Sequence, residues 1–197
     1  MNGRDLERAA AADLKKVLDR FFETRRGVFD AAAAAIASCL DRGGKVLAFG
    51  NGGSAAEAQH FVAELVNGLA RRDGPPLAAV ALTADASCLT AVGNDRGFER
   101  VFSRQIEALG KAGDVALGLT TSGRSPDVLG ALRTARRLGL VTVALSGESV
   151  DAAAPLADIL LDVPSRDTPR VQEAHLLILH LMAARLEATT PKPSAED

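Results

Sequence analysis

The stretch KVLAFGNGGSAAEAQHFVAEL, residues 45–65, decides how this chain folds. An apolar run from Val46 to Phe49 ends in Gly50, Gly52 and Gly53, and a helical pattern begins at once with Ser54. A buried strand turning tightly into a helix is the unit from which parallel sheets are assembled. The helix also carries His60 and Glu64 four residues apart, so an imidazole and a carboxylate share one of its faces. Two questions follow: how often the unit recurs, and whether the glycine turn only caps a helix or also cradles a ligand.

The unit recurs. Further apolar runs are LAAVAL (77–82), VALGLTT (115–121), VTVALSG (141–147) and ILLDVP (159–164). They are nearly continuous, as strands covered on both faces must be. Helical patterns at about 54–70, 98–109, 126–138 and 169–187 lie between and after them. This alternation predicts an α/β fold, a three-layer α/β/α sandwich with a five-stranded parallel sheet. Two helical patterns precede it, one over 5–22 (Leu6, Ala9, Ala10, Leu14, Leu18, Phe21) and one over 27–41 (Val28, Ala32, Ile36, Leu40). They must pack on the sheet or on a partner subunit. Residues 1–188 therefore form a single domain including its N-terminal helices, and the Pro-rich polar TTPKPSAED (189–197) is expected to be a disordered tail.

Bulk properties narrow the function classes. Lys+Arg 23 against Asp+Glu 25 gives a formal charge of −2, so no basic bias recruits nucleic acid or an anionic membrane. The N-terminus MNGRDLERAAAADLKK is charged throughout and lacks the apolar core of a signal peptide, and no apolar stretch is long enough to span a bilayer. Cys39 and Cys88 are far apart with no CxxC, which indicates neither a disulfide framework nor a zinc ribbon. A reducing cytoplasm is the expected compartment.

Ligands of open parallel sheets gather at the carboxyl ends of strands. Two loops there are rich in small donors: Gly50-Asn51-Gly52-Gly53-Ser54 and Thr120-Thr121-Ser122-Gly123-Arg124-Ser125. Capping accounts for part of this. Ser54-Ala55-Ala56-Glu57 fits the box S-x-x-E, and Ser125-Pro126 fits an N-cap with proline at N1. It leaves unexplained the Gly, Asn, Thr and Ser that collect ahead of both caps, whereas an anion at two helix starts explains them. The spacing is neither G-x-G-x-x-G nor G-x-x-x-x-G-K-[ST], so a small phosphorylated ligand fits better than a nucleotide. His60 and Glu64 can bind one divalent metal, serve as acid and base, or form a structural surface pair. The last helix adds Gln172, His175 and His180. Gln172 and His180 are eight residues apart, about 12 Å along a straight helix, which is far for one ion unless a second subunit completes the site. Between strand and helix, Asn94-Asp95 before Gly97 is read locally as a turn and N-cap.

Taken together, GNGGSAAEAQHFVAEL, LTAVGND, TTSGRS and VPSRDTPRVQEAHLLILH resemble the sugar-isomerase (SIS) family and, within it, the phosphoheptose isomerases, in order from about residue 5 to 187. The resemblance implies the SIS fold. It also implies conversion of sedoheptulose 7-phosphate to D-glycero-D-manno-heptose 7-phosphate through an enediolate, opening the route to ADP-heptose for lipopolysaccharide core or a related glycan. By the same resemblance, Asn51, Gly52, Gly53, Ser54, Asn94, Asp95, Thr120, Thr121, Ser122, Ser125 and Gln172, with Glu64, would contact substrate. Glu64 would be the general base and His180 its acid–base partner. His60, Glu64, Gln172 and His180 would be the ligands of the zinc, one per subunit, that some members use. The family implies a homotetramer with sites between subunits. Thr120 stands where the family usually has Ser, Arg124 where it usually has Asn, and Pro169 opens the last helix where other residues are common. Two alternatives share the fold: a non-catalytic tetrameric adaptor that binds a replication initiator, whose members typically lack the Glu and His pair, and an isomerase of another ketose phosphate.

Overall fold

The computed structural model describes residues 3–70 and 74–189. Within them the chain runs α1 (Gly3–Asp41), β1 (Val46–Gly50), α2 (Gly53–Asn67), β2 (Ala79–Ala81), α3 (Ala86–Arg96), α4 (Val101–Leu109), β3 (Val115–Thr120), α5 (Pro126–Arg137), β4 (Val141–Ser146), β5 (Ile159–Asp162) and α6 (Thr168–Thr189). Every strand pairing is parallel, and the order across the sheet is β2-β1-β3-β4-β5. The expected three-layer fold is present.

Strand alternation separates two cores. Val46 and Ala48 of β1, with Val115, Leu117 and Leu119 of β3, face the layer built from α1, α2 and α6. Leu47 and Phe49, with Ala116 and Ala144, face the layer built from α4 and α5. Because both faces are covered, no position in β1 or β3 is free to be polar until Thr120, and this is why the runs are continuous.

Three elements differ from the sequence reading. The two N-terminal patterns are one helix of 39 residues, about 58 Å long. Glu23, Thr24, Arg25 and Arg26 at the junction are all compatible with a helix, and Gly27 costs only about 1 kcal/mol there. Arg25 pins the junction by a two-pronged contact with Asp162 at the end of β5, 2.6 and 2.8 Å. From Phe21 onward α1 buries Phe29, Ala32, Ala33, Ile36 and Cys39, whereas residues 3–20 bury none. The second difference is α3, which the sequence offered only as a turn. It buries no residue, so the stretch ASCLTAVGNDR carries no apolar stripe to betray a helix. Asp85 starts it by accepting from Cys88 N at 2.9 Å, and Asn94 and Asp95 lie in its last turn, not at an N-cap. Third, Thr189 closes α6, and the rest of the expected tail, 190–197, lies outside the described residues.

The central strands are also tied at their starts. Asp114, 3% exposed, accepts from Lys45 N (3.0 Å), Lys45 Nζ (2.5 Å) and Lys111 N (2.9 Å). Burial pushes this carboxyl up, but the hydrogen bonds from Lys45 and Lys111 and the Lys45 charge outweigh it and hold it below the usual carboxylate range. A carboxyl depressed in the folded state stabilises the fold above its unfolded value, near 3.9, and that contribution is lost as pH falls through the folded value. Asp114→Asn should therefore cost about 2 kcal/mol in urea unfolding at neutral pH, and the gap to the parent protein should shrink below about pH 4.

Candidate active site

The strand order reverses between β1 and β3. The chain leaves β1 for α2 on one face and leaves β3 for α5 on the other, so a crevice opens outside their carboxyl ends. Its walls are the two small-residue loops, and they are joined directly: Asn51 Nδ2 donates to Asp127 Oδ2 in the first turn of α5, at 2.8 Å. Asp127 is buried, which makes this bond a fixed spacer between the loops.

The first loop turns more tightly than a capping box allows. Helix α2 starts at Gly53, with Gly52 as its N-cap at φ 57° and no side-chain cap bond. The Asn51 carbonyl accepts from Ser54 N at 3.0 Å, and the Gly52 carbonyl accepts from Ala55 N and Ala56 N. Ser54 thus sits inside the helix, and the S-x-x-E match is not a capping box. Ser54 and Glu57 are buried instead. Gly53 lets the Gln172 amide pack close, since a Cβ there would lie 2.4 Å from Gln172 Nε2 and push that flexible side chain aside.

In the second loop Ser125 does occupy the N-cap of α5 with Pro126 after it, yet it makes no cap bond. Its hydroxyl lies 3.0 Å from Thr120 Oγ1, so two hydroxyls are paired at the crevice. Ser122 Oγ accepts from Arg124 N at 3.2 Å, and the Thr121 carbonyl accepts from Gly147 N at 3.2 Å. Gly123, at φ 65°, is pressed against the loop after β4: a Cβ there would meet the Ser149 carbonyl at 1.9 Å. Arg124 is exposed and lines a cavity of about 300 Å³ together with Arg166.

Helices α2 and α6 lie side by side, and along their seam the structure brings together three of the four residues expected to bind metal. His60 Nε2 and His180 Nε2 are 2.7 Å apart, with the rings edge to face. Glu64 Oε1 lies 3.3 Å from His60 Nε2. One donor atom from each of the three falls within 4.8 Å of the others. The fourth, Gln172, has its described contact elsewhere on α2. Its amide packs on Gly53, seven residues before His60 on α2, a rise of about 10 Å. Asn94 and Asp95 are exposed, and the Asn94 amide donates to Asp95 Oδ1 at 2.8 Å rather than to either loop.

Sequence reasoning missed Asp127, hidden as an ordinary helix-start residue, and the partnership of Glu57 with His175, hidden by the capping-box match. His175 is 0% exposed, and its Nδ1 lies 3.8 Å from Glu57 Oε2. The only signal available was that a His on an apolar helix needs a polar partner.

Comparison with known proteins agrees with this geometry. The chain matches the SIS domain family over residues 11–147. It is 52% identical over 177 residues to the phosphoheptose isomerase of Solidesulfovibrio magneticus, covering 90% of this chain and 83% of that one. Among solved structures it resembles phosphoheptose isomerase GmhA of Neisseria gonorrhoeae, with TM-score 0.90, 40% identity, and 95% and 100% of the two chains covered. A phosphoheptose isomerase of Francisella tularensis matches with TM-score 0.92, 37% identity, and 96% and 100% covered. With the family matched over well more than half of its length and a relative half identical along nearly all of it, the chain belongs to the SIS domain family and, within it, to the phosphoheptose isomerases.

Proposed function

We propose that the protein interconverts sedoheptulose 7-phosphate and D-glycero-D-manno-heptose 7-phosphate, and so supplies the first intermediate of a route to ADP-heptose for lipopolysaccharide core or a related glycan. The observation that carries this reading is the meeting of Glu64 with His60 and His180 on the α2–α6 seam, in a chain whose relatives are named phosphoheptose isomerases. The phosphate would be held by the loop Asn51-Gly52-Gly53-Ser54 and by Thr120, Thr121, Ser122 and Ser125, with the N-termini of α2 and α5 favouring its charge. Arg124 adds a cation beside the second loop.

The reaction moves hydrogen between adjacent carbons and needs one base and one proton carrier. Glu64 takes the C1 proton of the open ketose to give an enediolate, and reprotonation at C2 gives the aldose. His180 moves protons between O1 and O2, and its contact with His60 holds the ring in place. Positioned acid–base groups of this kind contribute about 10²–10⁴ in rate. Two imidazoles and a carboxylate are a donor set that zinc accepts, so His60, Glu64 and His180 fit one ion, with Gln172 as a further ligand from a neighbouring subunit. Zinc, when bound, would polarise the sugar carbonyl as a Lewis acid. A homotetramer with sites between subunits is supported by the separation of Gln172 from His180 and by the unburied first half of α1.

Three measurements test this. In a coupled assay across ketose phosphates of five to seven carbons, the seven-carbon ester should turn over fastest, and Glu64→Gln or His180→Asn should lower kcat at least about a hundredfold. Near-normal turnover by Glu64→Gln would remove its assignment as base, and binding to an initiator protein without turnover would favour the adaptor. Metal analysis should find one zinc per subunit, lost in His60→Ala, with activity falling on dialysis against a chelator. Finally, hybrid oligomers made by co-expressing Glu64→Gln with Gln172→Ala should regain activity that neither variant has alone, since one kind of interface then joins an intact Glu64 to an intact Gln172. Absence of rescue would place both residues in one subunit.

A further inference from the structure

The α2–α6 seam carries three contacts of polar side chains in order: the Gln172 amide packed on Gly53, Glu57 facing His175, and His60 against His180. The outer two end at the substrate loop and at the acid–base group. The middle one is buried and has no role in the reaction described above. Its chemistry is incomplete on paper. His175 Nε2 lies 3.2 Å from the Ser146 carbonyl at the end of β4, and a carbonyl oxygen only accepts, so Nε2 carries a hydrogen. If the ring is neutral, Nδ1 is then a bare lone pair, and it faces Glu57 Oε2, another acceptor, at 3.8 Å. Neither atom has a hydrogen-bond partner, and both are shielded from water. Two buried acceptors facing each other are costly, and a single proton between them removes the conflict once the pair closes by about 1 Å.

We propose that Glu57 and His175 share one buried proton and act as positioning residues that set the register of α6 against α2. This inference rests on the isomerase reading for its kinetic consequence, though not for its chemistry. Glu57, His60 and Glu64 follow one another at helical spacing on α2, and His175 precedes His180 on α6. A slip of α6 by one residue would move His180 about 1.5 Å along the seam, enough to break its contact with His60. Because His175 also holds the end of β4, the same rung ties the acid–base seam to the strand whose loop packs on Gly123.

The test compares Glu57→Gln with Glu57→Leu. A glutamine amide can donate to Nδ1 of a neutral His175 and rebuild the rung without the proton, whereas leucine of similar size cannot. Glu57→Leu should lower kcat at least tenfold with KM within about threefold of the parent, and Glu57→Gln should recover most of the loss. Parental kcat in Glu57→Leu, or equal damage in both variants, would overturn the positioning role. Independently of any substrate, ¹⁵N NMR of the histidine-labelled parent protein should report His175 Nδ1 as protonated or hydrogen-bonded, and as bare in Glu57→Leu. A bare Nδ1 in the parent would overturn the shared proton. The NMR outcome stands even if no ketose phosphate is turned over, so failure of the proposed activity and failure of this inference are separable.

Discussion

The close parallel pairing of β1 and β3, with their chains leaving for opposite faces of the sheet, is the constraint from which the site follows. Adjacent parallel strands bring their carboxyl ends level, so the loops after Gly50 and Thr120 must lie beside each other whatever their sequence. Opposite crossovers then keep α2 and α5 from filling the space between those loops. The sequence answers with residues small enough for close contact and polar enough to use it. Gly53 admits Gln172, Gly123 admits the Ser149 carbonyl, and Asn51 reaches across to Asp127. The starts of the same strands are fixed by Asp114, which holds Lys45 ahead of β1 and Lys111 ahead of β3. Both ends of the central pair are thus set by buried carboxylates.

The helices that follow β1 and β5 return along one face of the sheet, which makes α2 and α6 parallel neighbours with their N-termini at the crevice. A seam between two such helices is ordinarily apolar, and Phe61, Leu65, Ile178 and Met182 keep most of it so. Three contacts interrupt it at intervals of about two turns or less: the Gln172 amide on Gly53, Glu57 facing His175, and His60 against His180. Buried polar contacts tolerate fewer alternative alignments than apolar ones, because a slip leaves their atoms unpaired. On the positioning role proposed for Glu57 and His175, their contact limits small shifts of α6 along α2. Precise placement of two histidines and a carboxylate is what acid–base chemistry demands of its scaffold.

Much of this was legible in the sequence, and the gaps have physical causes. The three central strands were legible because burial on both faces leaves continuous apolar runs, and the edge strands β2 and β5 were legible from short apolar runs although they are only partly buried. The helix α3 was not, because it buries no residue and so leaves no periodic trace. Continuity of α1 was obscured by the charged Glu23-Thr24-Arg25-Arg26, whose hidden purpose is the Arg25 fork onto Asp162, far away in sequence. Glycines, threonines and serines of the two loops were recognisable by their concentration. Ser54 and Glu57 were misassigned because a local pattern, the capping box, matches their spacing, whereas the helix begins at Gly53 and Glu57 is buried facing His175 of α6. His60 and Glu64 were visible as a pair, but that His180 joins them depends on the packing of α2 on α6, which no local pattern encodes.

The proposed roles divide binding and chemistry between different parts of the fold. The loops offer hydroxyls, backbone N–H groups and helix ends, features that any SIS domain holding a sugar phosphate can share, so they say little about turnover. Glu64 and His180 stand on the rigid helices two turns or more from the helix starts, where they add nothing to the crevice walls at the strand ends. On the proposed roles, a chain with the same loops but without Glu64 would keep its phosphate-holding loops and lose its base. The converse also holds: the seam alone, with no loop to fix the phosphate, would have no means of bringing C1 to the carboxylate. With those roles, catalysis would require the distance between loop and seam to be held constant, and the buried Glu57–His175 rung lies between the two.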